Sequence, residues 1–239
     1  MSPTVVLLHS PLTTAAAWGE LPAHLRTHGW EVTAPDISDD TTPPYAGRYV
    51  AAASKALLDS VGSAPTALVG HSGAGPLLPQ VGFARHAVQA PVVGYLFLDA
   101  VLPRGPRTAT RIDLMRLDDE AATVSRSRHL ESGGVFPDWT DVDLAGEIPD
   151  AETRAQLLAA LRPRSLDFFT EPLPLPEDWP DAPAAYLQLS AAYDRPAATA
   201  RLRGWPVLTR AAHHFAALTD PAMVAVEVDA LLQQTVGDA

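Results

Sequence analysis

Ser72, the pair His213 and His214, and two aspartates, Asp99 and Asp194, are the residues of this 239-residue chain whose types and order could carry covalent chemistry. The serine lies in Ala67-Leu68-Val69-Gly70-His71-Ser72-Gly73-Ala74-Gly75. A strand that turns at once into a helix, with glycine two residues before the serine and one after it, holds the hydroxyl on a strained turn at the carboxyl edge of a sheet. A side chain at Gly70 or Gly73 would collide with a neighbouring strand or helix. Helix amides beginning at Gly73 then point toward the serine, where they favour developing negative charge. A serine hydroxyl is a poor nucleophile at neutral pH, so it needs a base within hydrogen-bond reach and a third group to orient that base. The histidine pair, in Ala211-Ala212-His213-His214-Phe215, follows the last strand of the pattern, and Asp194 and Asp99 follow two earlier ones.

Those elements are legible as alternating patterns. Strands are expected at Val5–Leu8, Trp30–Ala34, Ala67–Val69, Val92–Leu98, Tyr186–Leu189 and Val207–Thr209. Helices are expected after Thr13 or Thr14 with Trp18, Leu21 and Leu25 on one face, over Tyr45–Val61, from Gly73 to about Val88, over Pro196–Leu202 and over Met223–Leu232. Continuous apolar strands between helices imply right-handed crossovers and a mostly parallel sheet of about six strands, covered on both faces. Residues 103–183 break the rhythm with 10 Pro, 16 Asp and Glu and 9 Arg, and only Glu152–Leu161 reads as a well-formed helix there. The block is expected to be a cap inserted into one α/β core made of residues 1–102 and 184–239.

Composition excludes other classes. The chain carries 17 Lys and Arg against 28 Asp and Glu, a formal charge of −11, with no basic stretch. That excludes the electrostatic footprint of a nucleic-acid binder and opposes adsorption on anionic lipid. The absence of cysteine excludes a disulfide framework, a thiolate metal site and a cysteine nucleophile. No histidine pair with nearby carboxylates has metal-ligand spacing, and no cofactor is expected. The short run Val5–Leu8 lacks a basic flank and a cleavage site, and no apolar stretch approaches the roughly 20 residues of a membrane span, so the expected location is the cytoplasm.

Together these residues resemble the α/β-hydrolase fold superfamily, and within it the small branch that includes hydroxynitrile lyases and plant methyl ester esterases. Val5-Val6-Leu7-Leu8-His9-Ser10, then Trp18, Leu21, Gly29, Val32, Thr33, Ala34 and Asp36, resembles the opening of that branch. Gly70-His71-Ser72 resembles its nucleophile elbow, with Ala74 where many hydrolases have glycine. His214-Phe215 with Leu218 and Pro221 resembles its terminal histidine pattern. The resemblance implies Ser72 as nucleophile, His214 as base with His213 as its loop neighbour, and Asp194 as the acid by the commoner placement. Asp99 stays open as the alternative, because some members of the superfamily place the acid after that earlier strand.

The resemblance also exposes a departure. A hydrolase of this fold binds the tetrahedral oxyanion with two backbone N–H groups, one after the serine and one from the loop after the first strand. Gly73 supplies the first, but the second falls on Pro11, which has no N–H. Loss of one such donor costs about 10²–10³ in turnover. Leu12 could shift into its place, the Ser10 hydroxyl could donate, or the chemistry could form no acyl oxyanion. Ser10 matches the position at which the lyase relatives carry a substrate-binding hydroxyl.

Substrate contacts are expected from Ser10, Pro11 and His71 and from the aromatic residues Trp139, Phe168 and Phe169, with Phe136 and Trp179 as further candidates that could instead form the cap's own core. Arg104, Arg107 and Arg111 could meet a carboxylate, although their acidic neighbours are expected to pair with them. His9 is expected to be structural or pocket-lining, and His24, His28, His86 and His129 to face solvent. The leading function is hydrolysis of a small apolar ester, thioester or lactone. The alternatives are a lyase, cyclase or isomerase using the Ser-His pair for proton transfer, and a ligand receptor without turnover.

Overall fold

Six short apolar strands lie side by side in the computed structural model, which describes residues 3–38, 40–106 and 109–236. They are β1 (Thr4–Leu8), β2 (Glu31–Thr33), β3 (Thr66–His71), β4 (Val92–Leu98), β5 (Ala184–Gln188) and β6 (Val207–Thr209), in the order β2-β1-β3-β4-β5-β6, and every pairing is parallel. Successive side chains of a strand point to opposite faces. Val6, Leu8, Leu68, Tyr95, Phe97 and Tyr186 accordingly bury into one core, and Val5, Leu7, Val69, Leu96, Leu98 and Leu187 into the other.

Helices cover both faces, as the continuous apolar strands require. On one side pack α1 (Leu21–Thr27) and the last helix of the chain, which spans Pro221–Val236; on the other pack α2 (Tyr45–Val61), α3 (Leu78–Ala87) and the helix Asp194–Leu202. The helix expected from Gly73 begins as a tight 3-10 turn, Ser72–Leu77, and becomes α-helical only at Leu78. Pro76, inside that turn, has no N–H to give to an α-helical ladder.

Between β4 and β5 run α4 (Arg111–Asp118), α5 (Glu120–Glu131), α6 (Asp141–Leu144), α7 (Ala151–Ala160) and α8 (Leu166–Thr170). Only α7 was expected from the sequence. The others bury few apolar residues each and are marked instead by their caps. Thr110 and Asp113 form a reciprocal capping box, in which the Thr110 hydroxyl accepts from the Asp113 amide at 3.2 Å and Asp113 accepts from the Thr110 amide at 3.0 Å. Asp119 caps α5 through the Ala122 amide at 2.9 Å. The remaining helices, α9 (Asp194–Leu202), α10 (Ala216–Thr219) and α11 (Pro221–Val236), complete the chain.

The segment before α8 is tied to the loop after β1. The Arg162 amide donates to the Leu12 carbonyl at 2.8 Å, and the Arg164 guanidinium donates to the Pro11 carbonyl at 3.1 Å and to buried Asp40 at 2.7 Å. Among the described residues no helix is long and apolar enough to cross a membrane.

Candidate active site

The parallel register brings the carboxyl ends of β1, β3, β4 and β5 into line. Leu8 pairs with Gly70, His71 with Leu98, and Leu98 with Leu187, so the residues that leave these strands emerge along one edge. Ser72 leaves β3 with φ +56°, a left-handed conformation that a side-chain-bearing residue adopts only when its surroundings enforce it. The glycines around it permit the close packing. A Cβ at Gly70 would come within 2.9 Å of the Leu78 side chain, and one at Gly73 within 3.0 Å of the Ser10 hydroxyl. Gly75, just beyond, is tighter still: its Cβ would stand 2.1 Å from the Val101 carbonyl oxygen.

The acid next to the histidine is Asp99. It follows β4, is fully buried, and accepts from His214 Nδ1 at 2.8 Å. Its other contacts come from the start of the loop after β5: the amides of Leu189 at 2.9 Å and Ser190 at 3.0 Å, and the Ser190 hydroxyl at 2.7 Å. Burial opposes the charge on Asp99, but the hydrogen bond and charge of His214, with the donors of Ser190 and Leu189, outweigh it and hold the carboxyl below its usual range.

Asp194, preferred from the sequence, does not meet His214. A 3-10 turn at Ala191–Tyr193 carries the chain away from the sheet edge, and Asp194 opens α9 and binds the Gln188 side-chain amide. The expectation for Asp194 is thereby corrected in favour of the alternative: the chain crosses above the sheet edge immediately after β4, not twenty residues before the histidine.

With Nδ1 donating to Asp99, Nε2 of His214 keeps its lone pair. The imidazole is held between two rings. His71 stacks on one side at 4.5 Å between centroids, and Tyr193 on the other at 5.0 Å and 10° between planes. His71 also donates its Nε2–H to the His214 carbonyl at 3.0 Å, which fixes its tautomer. Burial, and then the neighbouring His214, pull the His71 pKa down to about 3, so His71 is neutral. His213 is the neighbour expected of it. Its ring meets the Phe215 amide at 3.3 Å and the Thr219 hydroxyl at 2.9 Å, outside the cavity that His214 lines.

Tyr193 is the residue that sequence reasoning missed. Its hydroxyl lies 3.3 Å from Ser72 Oγ, and this is the hydrogen bond that the Ser72 side chain makes among the described residues. Burial raises the phenol pKa well above its ordinary value, so the group stays protonated at neutral pH. Its only sequence signal was its place beside Asp194, which the aspartate overshadowed.

At the position where a second oxyanion donor is expected from the sequence, Pro11 carries no N–H, and the Leu12 amide donates to the Ser10 hydroxyl at 3.2 Å. Ser10 Oγ is buried and faces Gly73 across the site, with its own proton left to give. His9 is structural. Nδ1 donates to the Ser10 carbonyl at 2.8 Å, Nε2 accepts from the Ile37 amide at 2.9 Å, and burial lowers its pKa.

Above Ser72 opens a cavity of about 580 Å³. Of the residues expected to contact substrate, Ser10, His71, Trp139, Phe168 and Phe169 line it, as does Leu12, and Pro11 does not: its carbonyl is turned to Arg164. Phe136 joins the lining, and the four insertion aromatics pack on one another while they do so, as in the 5.0 Å contact of Phe168 with Phe169. Trp179 packs instead on Phe97 and Trp205 of the main core. Of the arginines, Arg104 pairs with Asp118 and Arg111 with Glu171, while Arg107 lies outside the described residues. His28, His86 and His129 each meet an aspartate near the surface, at 3.4, 2.9 and 3.4 Å. Among the described residues no three potential metal ligands cluster.

The model of a family described as the alpha/beta hydrolase family matches residues 5–228. No curated protein matches the chain in sequence. Solved structures share its fold at low identity. An extracellular alpha/beta-hydrolase from Paenibacillus, said to share structural and functional homology with tobacco salicylic acid binding protein 2, aligns with a TM-score of 0.74 and 17% identity over 98% of this chain and 99% of its own. Tomato methylketone synthase I, solved with 2-tridecanone, gives 0.69 and 15% over 98% and 99%. Polyneuridine aldehyde esterase gives 0.67 and 16% over 95% and 99%.

Proposed function

From the premise that this chain belongs to the alpha/beta hydrolase family, we propose that it is a serine hydrolase acting on a small, largely apolar ester, thioester or lactone. The observation that carries the reading is the 2.8 Å contact between His214 Nδ1 and buried Asp99, on an imidazole that shares its cavity with Ser72.

The proposed steps use the groups of this site. Ser72 Oγ turns from Tyr193 toward His214 by rotation about its side-chain bond, and attacks the carbonyl carbon as its proton passes to Nε2. Asp99 stabilises the imidazolium and holds the ring in the required tautomer. The carbonyl oxygen becomes an oxyanion that accepts from the Gly73 amide and, in place of the missing Pro11 amide, from the Ser10 hydroxyl. Collapse expels the alcohol or thiol, which takes the proton from His214. Water then attacks the acyl-enzyme through the same base, releases the acid and restores Ser72. The apolar cavity wall fits an apolar acyl or alcohol group, in keeping with a neighbour named as an esterase and another that holds 2-tridecanone.

The test is a fluorophosphonate probe together with the early phase of 4-nitrophenyl ester turnover. Labelling of Ser72, lost in Ser72→Ala, with a burst of one nitrophenol per chain supports the reading. A folded protein that is neither labelled nor active on any activated ester overturns it.

A second reading is favoured by one specific feature, the proline at the second donor position with a buried hydroxyl beside it. In that reading Ser72, His214 and Asp99 move a proton, and Ser10 holds the substrate, with no acyl-enzyme formed. It requires Ser10→Ala to harm activity as badly as Ser72→Ala, with simple esters poor substrates. Fast ester turnover with Ser10→Ala near neutral dismisses it.

A further inference from the structure

Six charged side chains of the insertion line the cavity over Ser72: Arg111, Asp118, Asp119, Arg126, Asp143 and Glu147. Five are engaged within the protein. Arg111 donates to the Phe168 carbonyl at 2.9 Å and pairs with Glu171 at 3.5 Å; Asp118 pairs with Arg104. Asp119 caps α5 through the Ala122 amide, Asp143 accepts from the Thr140 amide at 2.8 Å, and Glu147 stands 3.9 Å from His213.

Arg126 differs. Its guanidinium lies over the Phe136 ring, 3.7 Å from the centroid, and among the described residues it makes no hydrogen bond or ion pair. Asp119 and Asp138 attract it through space, but Asp119 is committed to its cap and Asp138 to His129 at 3.4 Å. Burial pulls its pKa below the usual arginine value, yet a guanidinium remains charged at neutral pH. On the same cavity wall, Arg111 leaves two buried donors, Nε and Nη2, without partners. A partly desolvated cation with no partner in the protein, beside two buried unpartnered donors of Arg111, favours the entry of an anion.

Tyr193 lines the same cavity as this cation and the serine. Its hydroxyl is 3.3 Å from Ser72 Oγ. The unpaired charge and the nucleophile therefore share one cavity.

We propose that the cavity takes a substrate bearing a carboxylate, held by Arg126, with the carbonyl to be attacked placed at Ser72; in chemical class this is a half-ester of a dicarboxylic acid. The proposal rests on the hydrolase reading and names its substrate class. It is tested by binding without turnover. Ser72→Ala protein is titrated calorimetrically with monomethyl suberate and with dimethyl suberate, which differ in the terminal carboxylate. The half-ester is expected to bind at least about tenfold more tightly, as befits a charge-assisted contact. Arg126→Gln in the Ser72→Ala background is expected to remove that preference, and Arg126→Lys to retain part of it. Thermal midpoints verify folding, and Arg126→Met, which keeps the packing on Phe136, serves if the glutamine variant unfolds. Equal affinities, no binding of the half-ester, or a preference that survives loss of the arginine overturn the proposal. Hydrolysis is read separately, from 4-nitrophenyl octanoate and the parent chain. Carboxylate binding through Arg126 with no turnover and no probe labelling overturns the hydrolase reading alone.

Discussion

A carboxylate that accepts four hydrogen bonds in a dry pocket, as Asp99 does from His214, Leu189 and twice from Ser190, is ionised and fixed in direction. It thereby dictates which nitrogen of His214 carries the proton. Asp99→Asn offers an amide in its place, whose N–H favours the opposite tautomer. The expected result is a loss in kcat of about 10³–10⁴ with folding intact by circular dichroism. Asp194→Asn, tested on the same ester, should leave kcat near that of the parent, because Asp194 binds Gln188 and not the imidazole. Tyr193→Phe separates a second question. It removes the hydroxyl that Ser72 contacts at rest, so the rate of fluorophosphonate labelling should rise by up to about fivefold, the worth of one ordinary hydrogen bond. A large fall instead would assign that hydroxyl to the reaction.

At the scale of elements, two contacts hold the loops that carry the site. The elbow is packed against the chain leaving β4 so closely that Gly75→Ala would place a Cβ 2.1 Å from the Val101 carbonyl oxygen. Backbone is not free to yield as a side-chain tip is, and the substitution should lower unfolding free energy by about 3 kcal/mol or prevent folding. Gly146→Ala, where nothing lies within 4 Å, is the control and should be near neutral in urea denaturation. The second contact is the Arg164 clamp, which reaches from the insertion to the Pro11 carbonyl and to Asp40, both partners buried. Arg164→Met leaves the buried Asp40 carboxylate with only the longer, 3.9 Å contact to Arg162. Such a broken buried pair costs about 3–5 kcal/mol, read as a lowered denaturation midpoint. The same change loosens the loop bearing Ser10, so ester turnover should fall with it.

For the whole molecule, buried histidines set the response to acid. His71 has its pKa lowered to about 3 from 6.5, first by burial and then by His214, and that of His9 is lowered by burial. The unfolded chain therefore binds these protons more readily than the folded one. Their contribution to stability is complete above about pH 6.5 and is lost progressively as pH falls toward the folded values. Asp99, whose pKa is depressed, has the same sign in a lower window: its contribution is present above about 3.8 and is lost as pH falls through the folded value. Unfolding free energy should thus decline by about 1 kcal/mol per pH unit or more below about pH 6. His71→Gln should flatten that slope in urea titrations between about pH 4 and 7. A slope unchanged by the substitution would show that His71 is not the group responsible.

Much of this protein is written locally. The strand runs, the helix over Tyr45–Val61 and the glycine-flanked Ser72 follow from period, propensity and turn chemistry, which act between near neighbours. The insertion helices were harder to see because their apolar faces are meagre, and the Thr110–Asp113 capping box that starts α4 was not read from the sequence. What no local pattern could choose was the partner of His214. Asp99 and Asp194 both follow strands of one sheet, and the decision came from the register of β4 on β5 and from a turn that leads Asp194 away. Tyr193 and the unpaired Arg126 were likewise invisible, because an ordinary tyrosine and one arginine among sixteen acquire meaning only from what stands, or fails to stand, beside them. Covalent order fixes which segments form; electrostatic contacts between segments far apart in the chain are settled when the sheet closes and the insertion folds over it.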